Sequence, residues 1–187
     1  MDLSLSYRET GDYEGAIRAG LASLALFRAA SFELGTASLE NDLALSYLAL
    51  GNTAKALELA TSSRAQFEHL DDRRQLAHVV ETQAQISAAA GDHAESRNLA
   101  EEALRLAEET GNQKAAVSSL LSLARAMRAL GDPEGAASTY ERAVDLARNS
   151  AKPGLIRTAL GEWADVLSET GRHEQAAALL REALRGV

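Results

Sequence analysis

Apolar side chains recur along this chain at helical spacing, and glycine interrupts them at a fixed interval. Leu120, Leu121, Leu123, Ala124, Met127 and Leu130 form one such run, the spacing of an amphipathic helix. Gly131 stops it. Glycines stand likewise at Gly11, Gly51, Gly91 and Gly171, so that with Gly131 each is 40 residues from the next. Seven residues before four of them sits an alanine: Ala44, Ala84, Ala124 and Ala164. Five residues after them come Ala16, Ala56, Ser96, Ala136 and Ala176, and twelve after come Ser23, Ser63, Ala103, Ala143 and Ala183. Glycines in register with three columns of small residues define a 40-residue repeat.

Each repeat reads as two helices. The glycine ends the first, because the residue after a helix often takes a positive φ that glycine adopts without strain. The Asp or Asn that follows at Asp12, Asn52, Asp92 and Asp132 is suited to cap the next helix by accepting from its free N–H groups. Pro133 sits at a first helical position, where a missing N–H is harmless. Glu14, Glu95, Glu134 and Glu174 place negative charge at the positive end of the helix dipole. A second connection falls about twenty residues after each glycine, at Ser31, Leu70-Asp71-Asp72, Thr110-Gly111-Asn112 and Ser150-Ala151-Lys152-Pro153. Gly35 looks like a competing turn, but the register puts it inside a helix. The expected helices are 2–10, 13–30, 32–50, 53–69, 72–90, 93–110, 113–130, 133–149, 153–170 and 173–185.

The small columns let antiparallel helices approach to about 8–10 Å. Leu43, Tyr47, Leu123, Met127, Trp163 and Leu167 fill the space between units. Each unit then buries its apolar stripe against its neighbours, which predicts an all-α solenoid forming one domain over 1–187. Its units are about 1–30, 31–70, 71–110, 111–152 and 153–187, the first lacking the start of its first helix.

The string Leu43-Ala44-Leu45-Ser46-Tyr47-Leu48-Ala49-Leu50-Gly51-Asn52, followed by Ala54-Lys55-Ala56-Leu57, resembles the tetratricopeptide repeat in a long form of about 40 residues. Further copies run from Leu123-Ala124 to Gly131-Asp132 with Gly135-Ala136, and from Trp163-Ala164 to Gly171-Arg172 with Gln175-Ala176. The resemblance covers essentially the whole chain. It implies a right-handed α-α superhelix of helix pairs whose first helices line a concave face. Gln83 stands where a leucine is expected, and Ser96-Arg97 where an alanine–aliphatic pair is expected. The third unit is therefore the least typical.

Composition narrows the function. The chain has 187 residues, 46% of them hydrophobic and 4% aromatic, with two prolines and no cysteine. That excludes disulfides, thiol nucleophiles and cysteine-based zinc sites. A formal charge of -8 argues against direct contact with nucleic acid, which needs a basic patch. No signal peptide opens the chain, and uncharged stretches such as 43–54 fall short of the roughly 20 residues a membrane span needs. Neither nucleic acid nor membrane is an expected partner, and a cytoplasmic, bacterial protein is the default reading. Arginine outnumbers lysine 16 to 3, as in GC-rich coding sequences.

Phosphate loops, dinucleotide fingerprints and calcium loops are absent from the sequence, and no serine sits at a nucleophile elbow. His173-Glu174-Gln175-Ala176-Ala177 begins like a zinc-protease helix but lacks the second histidine. His93 and His173 read as solvated first-turn residues, and His69, Asp71 and Asp72 as a polar turn. The expectation is no enzyme, no cofactor and no metal.

Carried onto this chain, the resemblance puts the working surface on the first helices. The candidates are Arg8; Asn41, Asp42 and Leu45; His78, Glu81, Thr82 and Gln85; Ser118, Ser122, Arg125 and Arg128; and Thr158, Glu162 and Asp165. Arg125 and Arg128 share a helical face. They could grip a ligand carboxylate or phosphate, or pair with Glu162, Asp165 or another neighbour. The Lys, Asn and Arg set by which some such proteins hold a C-terminal carboxylate is not found. The resemblance implies a protein- or peptide-binding scaffold. The alternative is a ligand-sensing or self-association module of a larger bacterial transcriptional regulator. Uncapped ends, with Leu179, Leu180 and Leu184, are either the mark of an excised piece or a homo-oligomer contact.

Overall fold

The computed structural model describes residues 11–149 and 153–185. The expected helix over 2–10 and Arg8 lie outside them. The described residues form nine helices: α1 (Tyr13–Ala29), α2 (Glu33–Ala49), α3 (Thr53–His69), α4 (Arg73–Ala89), α5 (His93–Glu109), α6 (Gln113–Ala129), α7 (Pro133–Asn149), α8 (Pro153–Glu169) and α9 (His173–Leu184). All but α9 have 17 residues, a length of about 25 Å. Gly35 lies within α2, and its lack of a Cβ leaves room for the Phe32 ring, whose Cδ1 would stand 2.3 Å from one.

Seven of these helices end one residue earlier than the periodicity predicts, as at α2, where Leu50 is the C-cap before Gly51, and α3 and α7 end at His69 and Asn149 as expected. At the α2–α3 corner the N–H of Asn52 donates to the Tyr47 carbonyl (2.9 Å) and that of Gly51 to Leu48 (2.9 Å). This crossed pair closes the last turn and leaves Gly51 at φ +76°, a conformation that suits glycine. The connections twenty residues later use the same corner. Asn112 donates to Ala107 (2.8 Å), with Gly111 at φ +62°. Ser31 and Asp71 adopt φ +52° and +51° although neither is glycine. The expected caps form: Asp12 accepts from the Gly15 N–H (2.8 Å), Asn52 from Lys55 (3.1 Å) and Asp132 from Gly135 (2.9 Å). Asp72 and Asn112 cap α4 and α6 in the same way, so the turn at 71–72 is a capping device. Phe32 occupies the corresponding position before α2 without a side-chain cap.

Contacts divide the chain into two compact halves, Met1–Asp92 and His93–Val187. Within each half, consecutive helices pack against one another. In addition, α2 touches α4 and α6 touches α8, whereas within either half no two second helices (α1 and α3; α5, α7 and α9) do so. First helices therefore form the inner layer of each half. The small columns sit where they are needed: Ala44, Ala84, Ala124, Ala56 and Ala136 are fully buried. The buried Ser63 hydroxyl on α3 donates to the Ala37 carbonyl of α2 at 2.7 Å, a contact only a small residue permits. In the N-terminal half, Leu24, Leu39, Leu43, Leu59 and Ile86 close one core over α1–α4.

The atypical Gln83 has a partner. It is buried, and its Oε1 accepts from Arg64 on α3 at 3.1 Å. Arg64 lies thirteen residues after a turn glycine, where Leu24, Leu104 and Val144 stand in other repeats. A polar pair thus replaces an apolar pair on both sides of one junction. Ser96, the other departure, is also buried.

Candidate binding surface

The candidates divide between the inner layers of the two halves. In the N-terminal half, α2 presents Asn41, Asp42 and Leu45, all half-buried, and α4 presents His78 and Gln85, also half-buried. Glu81 and Thr82 are buried. The Gln85 side-chain amide donates to Glu81 Oε1 at 2.6 Å, and the Thr82 hydroxyl donates to the His78 carbonyl at 3.1 Å. The Asn41 Oδ1 is different: it is buried and has no hydrogen-bond partner among the described residues. Leaving such an acceptor unmatched costs about 1–3 kcal/mol. Chemically it is a site for an incoming N–H.

In the C-terminal half the charges are already matched. Arg125 on α6 makes a two-pronged pair with Glu162 on α8, Nε to Oε2 at 2.8 Å and Nη2 to Oε1 at 2.6 Å. Arg128 forks onto Glu169 in the same way, with Nε at 3.0 Å from Oε2, and its second nitrogen bonds Glu169 Oε1. Bonding to that carboxylate holds the Arg128 guanidinium above its ordinary pKa, against a smaller opposing effect of burial. Of the two uses open to Arg125 and Arg128, the structure has pairing with neighbours, through Glu162 and Glu169. Asp165 and Thr158 are exposed, Ser118 is half-buried and Ser122 is buried. The Thr158 hydroxyl donates to the Gly154 carbonyl at 3.1 Å.

Three participants were not among the sequence candidates. Tyr140, on α7, is fully buried and its hydroxyl donates to Glu162 Oε2 at 3.0 Å. Burial, then the charge and hydrogen bond of Glu162, push the phenol pKa well above its ordinary value. Glu169 stands 41 residues after Arg128, one repeat plus one residue, an offset that the 40-residue register could have exposed. Glu40 on α2 is the third. Its side chain is 1% exposed, and it accepts from Arg28 of α1 (2.7 Å) and Gln66 of α3 (2.6 Å). The residues in register with it, Val80, Leu120 and Leu160, are buried and apolar, so a carboxylate in an apolar column was the available signal. Among the described residues no group of three His, Cys, Asp or Glu side chains could hold a metal ion, and no helix is long and apolar enough to cross a membrane.

Antiparallel helix pairs of fixed length, joined by repeated capped corners and layered with first helices inside, define an α-helical repeat protein. Two family models, both described as tetratricopeptide repeat, match the chain: one over residues 75–149 and one over 39–60 and 159–182. Together they span well over half of it, and the chain belongs to the tetratricopeptide-repeat family. Among solved structures it is similar to BtubC (BKLC) from P. vanneervenii, at 18% identity and TM-score 0.79, covering 98% of this chain and 76% of that one. A Rap protein complexed with competence and sporulation factor gives TM-score 0.90 at 12% identity, covering 97% of this chain and 51% of that one. A STAND protein with a tetratricopeptide repeat sensor, PH0952 from Pyrococcus horikoshii, gives 0.80 at 18%, covering 96% and 28%. At these identities the likeness shows the shared all-α solenoid fold. No curated protein matches the chain.

Proposed function

We propose that this protein is a non-catalytic scaffold that holds a peptide or protein segment against the inner faces of its first helices. Proteins of this fold commonly serve as interaction scaffolds. The observation that carries the reading here is the buried Asn41 Oδ1, unmatched among the described residues, on a helix that packs against α4, which carries His78, Glu81 and Gln85. A backbone N–H or a cationic side chain of a ligand completes that acceptor, and rigid helices supply the preorganised placement that makes hydrogen bonding selective. Asn41, Asp42, Leu45, His78, Glu81 and Gln85 are the primary contact set. Arg125 paired with Glu162 and Arg128 paired with Glu169 tie α6 to α8, and Ser118, Ser122, Thr158 and Asp165 stand on the same two helices.

Random short peptides displayed against the wild-type chain test the reading. Selected peptides lose about tenfold or more in affinity on Asn41→Ala, a change of about 1.4 kcal/mol. The same substitution leaves the melting temperature unchanged or raises it, because it removes an unmatched buried acceptor. A failure to select any peptide, or equal affinity for the variant, overturns the assignment.

A second reading is a ligand-sensing module of a larger bacterial regulator, located in the cytoplasm. It is supported by the likeness to the STAND sensor segment and to the Rap protein in complex with a signalling factor. An upstream nucleotide-binding or helix-turn-helix domain in the same reading frame supports it, and a stop codon immediately before Met1 removes it.

A further inference from the structure

We infer that Glu40 is a positioning residue for the inner face, a role that rests on the binding function proposed for Asn41. Its carboxylate, strapped to both flanking second helices, fixes the rotation of α2 and with it the placement of the Asn41 acceptor. Glu40 is charged where Val80, Leu120 and Leu160 stand in register, all buried and apolar. Its own side chain is 1% exposed. An apolar residue there is held by packing, which is non-directional, whereas a hydrogen bond constrains angle as well as distance. A buried ion pair adds little net stability over a well-packed apolar residue. The contribution of Glu40 is then geometric, as with a buried polar side chain that sets register between helices.

The two carboxylate oxygens go to different helices. Oε1 accepts from Arg28 Nη2 of α1 at 2.7 Å, and Oε2 accepts from Gln66 Nε2 of α3 at 2.6 Å. Gln66 is itself held, since the same nitrogen donates to the Ser62 carbonyl at 3.2 Å. Among the described residues α1 and α3 do not touch each other, so the carboxylate is gripped from two separate supports, and rotation of α2 in either sense lengthens one bond. Asn41 is the next residue, about 100° further round the same rigid segment. A helix with its side chains is about 10–12 Å across, so an atom at the rim moves about 1 Å for a turn of about 10°. That displacement exceeds the whole range of N–H···O bond lengths, about 2.7–3.2 Å. The Ser63 bond to the Ala37 carbonyl of α2 grips backbone instead, about 2 Å from the axis, where control over rotation is weaker.

Glu40→Leu in the full chain gives α2 the apolar residue of the other first helices and tests the inference. Its melting temperature should lie within about 4 °C of wild type, because Arg28, 58% exposed, stays hydrated without its partner. Peptides selected on the wild-type chain lose about tenfold in affinity. Without any ligand, the Asn41 side-chain amide signals in a proton–nitrogen correlation spectrum shift toward those of free asparagine. Gln66→Ala removes one arm at a half-buried site and leaves folding intact; it lowers affinity about threefold, the effect of one hydrogen bond, and moves the same signals. On the Glu40→Leu background Gln66→Ala adds nothing, because its route to Asn41 is gone. A folded Glu40→Leu chain with wild-type Asn41 signals, or Gln66→Ala effects that persist without Glu40, overturns the inference. So does undiminished affinity of Glu40→Leu for peptides that Asn41→Ala weakens, and the binding function of Asn41 then stands. Peptides indifferent to Asn41→Ala overturn that function instead, and the amide signals still decide whether Glu40 positions α2.

Discussion

Removing the Tyr140 hydroxyl tests whether the C-terminal half is held by a buried brace or only by surface charge. Phenylalanine keeps the ring and its volume, so the perturbation is one hydrogen bond to a carboxylate. Bonds to charged groups contribute about 1.5–3 kcal/mol. Glu162 keeps its two bonds from Arg125 and its side chain is 25% exposed, which places the loss in the lower part of that range, about 1.5–2 kcal/mol. For a chain of this length each kcal/mol moves the melting temperature by about 2–4 °C. Arg125→Ala breaks the more exposed pair, with side chains 46% and 25% accessible, and exposed pairs contribute about 1 kcal/mol at most. The order of effects is therefore Tyr140→Phe above Arg125→Ala, although the arginine makes two bonds and the tyrosine one. Urea titrations followed by far-ultraviolet circular dichroism measure both. A double-mutant cycle of Tyr140→Phe with Glu162→Ala isolates the pair, with a coupling of about 1–2 kcal/mol expected. A Tyr140→Phe chain as stable as wild type, with the two substitutions simply additive, would refute the brace.

Three further expectations follow from the same contacts. Because the folded Tyr140 phenol is raised above its ordinary pKa of 10.0, the unfolded chain releases that proton first. Its stabilising contribution is complete below pH 10 and declines as pH rises further; thermal melts above pH 10 should fall less steeply for Tyr140→Phe than for wild type, and parallel curves contradict this. Asp71 and Ser31 hold positive φ at corners that glycine fills elsewhere, so Asp71→Gly and Ser31→Gly should each stabilise by up to about 1 kcal/mol. A lower melting temperature for both would contradict the strain argument. Gln83→Leu alone deprives Arg64 of one acceptor and should destabilise, whereas Gln83→Leu with Arg64→Leu restores the apolar pairing of the other junctions and should recover the loss. Additive losses in the double variant would show that the two positions do not act as a pair.

Much of the fold was legible because its signals are local and repeated. Turn glycines, Asp and Asn caps and small columns each recur every 40 residues, so one ambiguous copy, such as the stretch around Gly35, is corrected by the others. The family resemblance also put Asn41 among the first-helix candidates. It could not show that the Asn41 oxygen is unmatched, since that depends on what surrounds it in three dimensions. Arg125 and Arg128 illustrate the same limit: composition and face gave two possible uses, and only the reach of Glu162 and Glu169 from α8 selects between them. One consequence is that reversing both arginines to glutamate sets like charges against Glu162 and Glu169, so that change perturbs stability as well as any ligand. Tyr140 and Glu40 were overlooked because each breaks the pattern of its column, Tyr140 by size and Glu40 by charge. Such odd members of a repeat column are where inter-helix polar contacts concentrate here, as the Arg64–Gln83 pair also shows.

The central claim is that the inner layer of first helices receives the ligand. Amide hydrogen exchange of the full chain, with and without a selected peptide, measures it residue by residue. Slowed exchange should concentrate in α2 and α4, around Asn41, His78 and Gln85, with little change along α1 and α3. Protection confined to the second helices, or no change at saturating peptide, would contradict it.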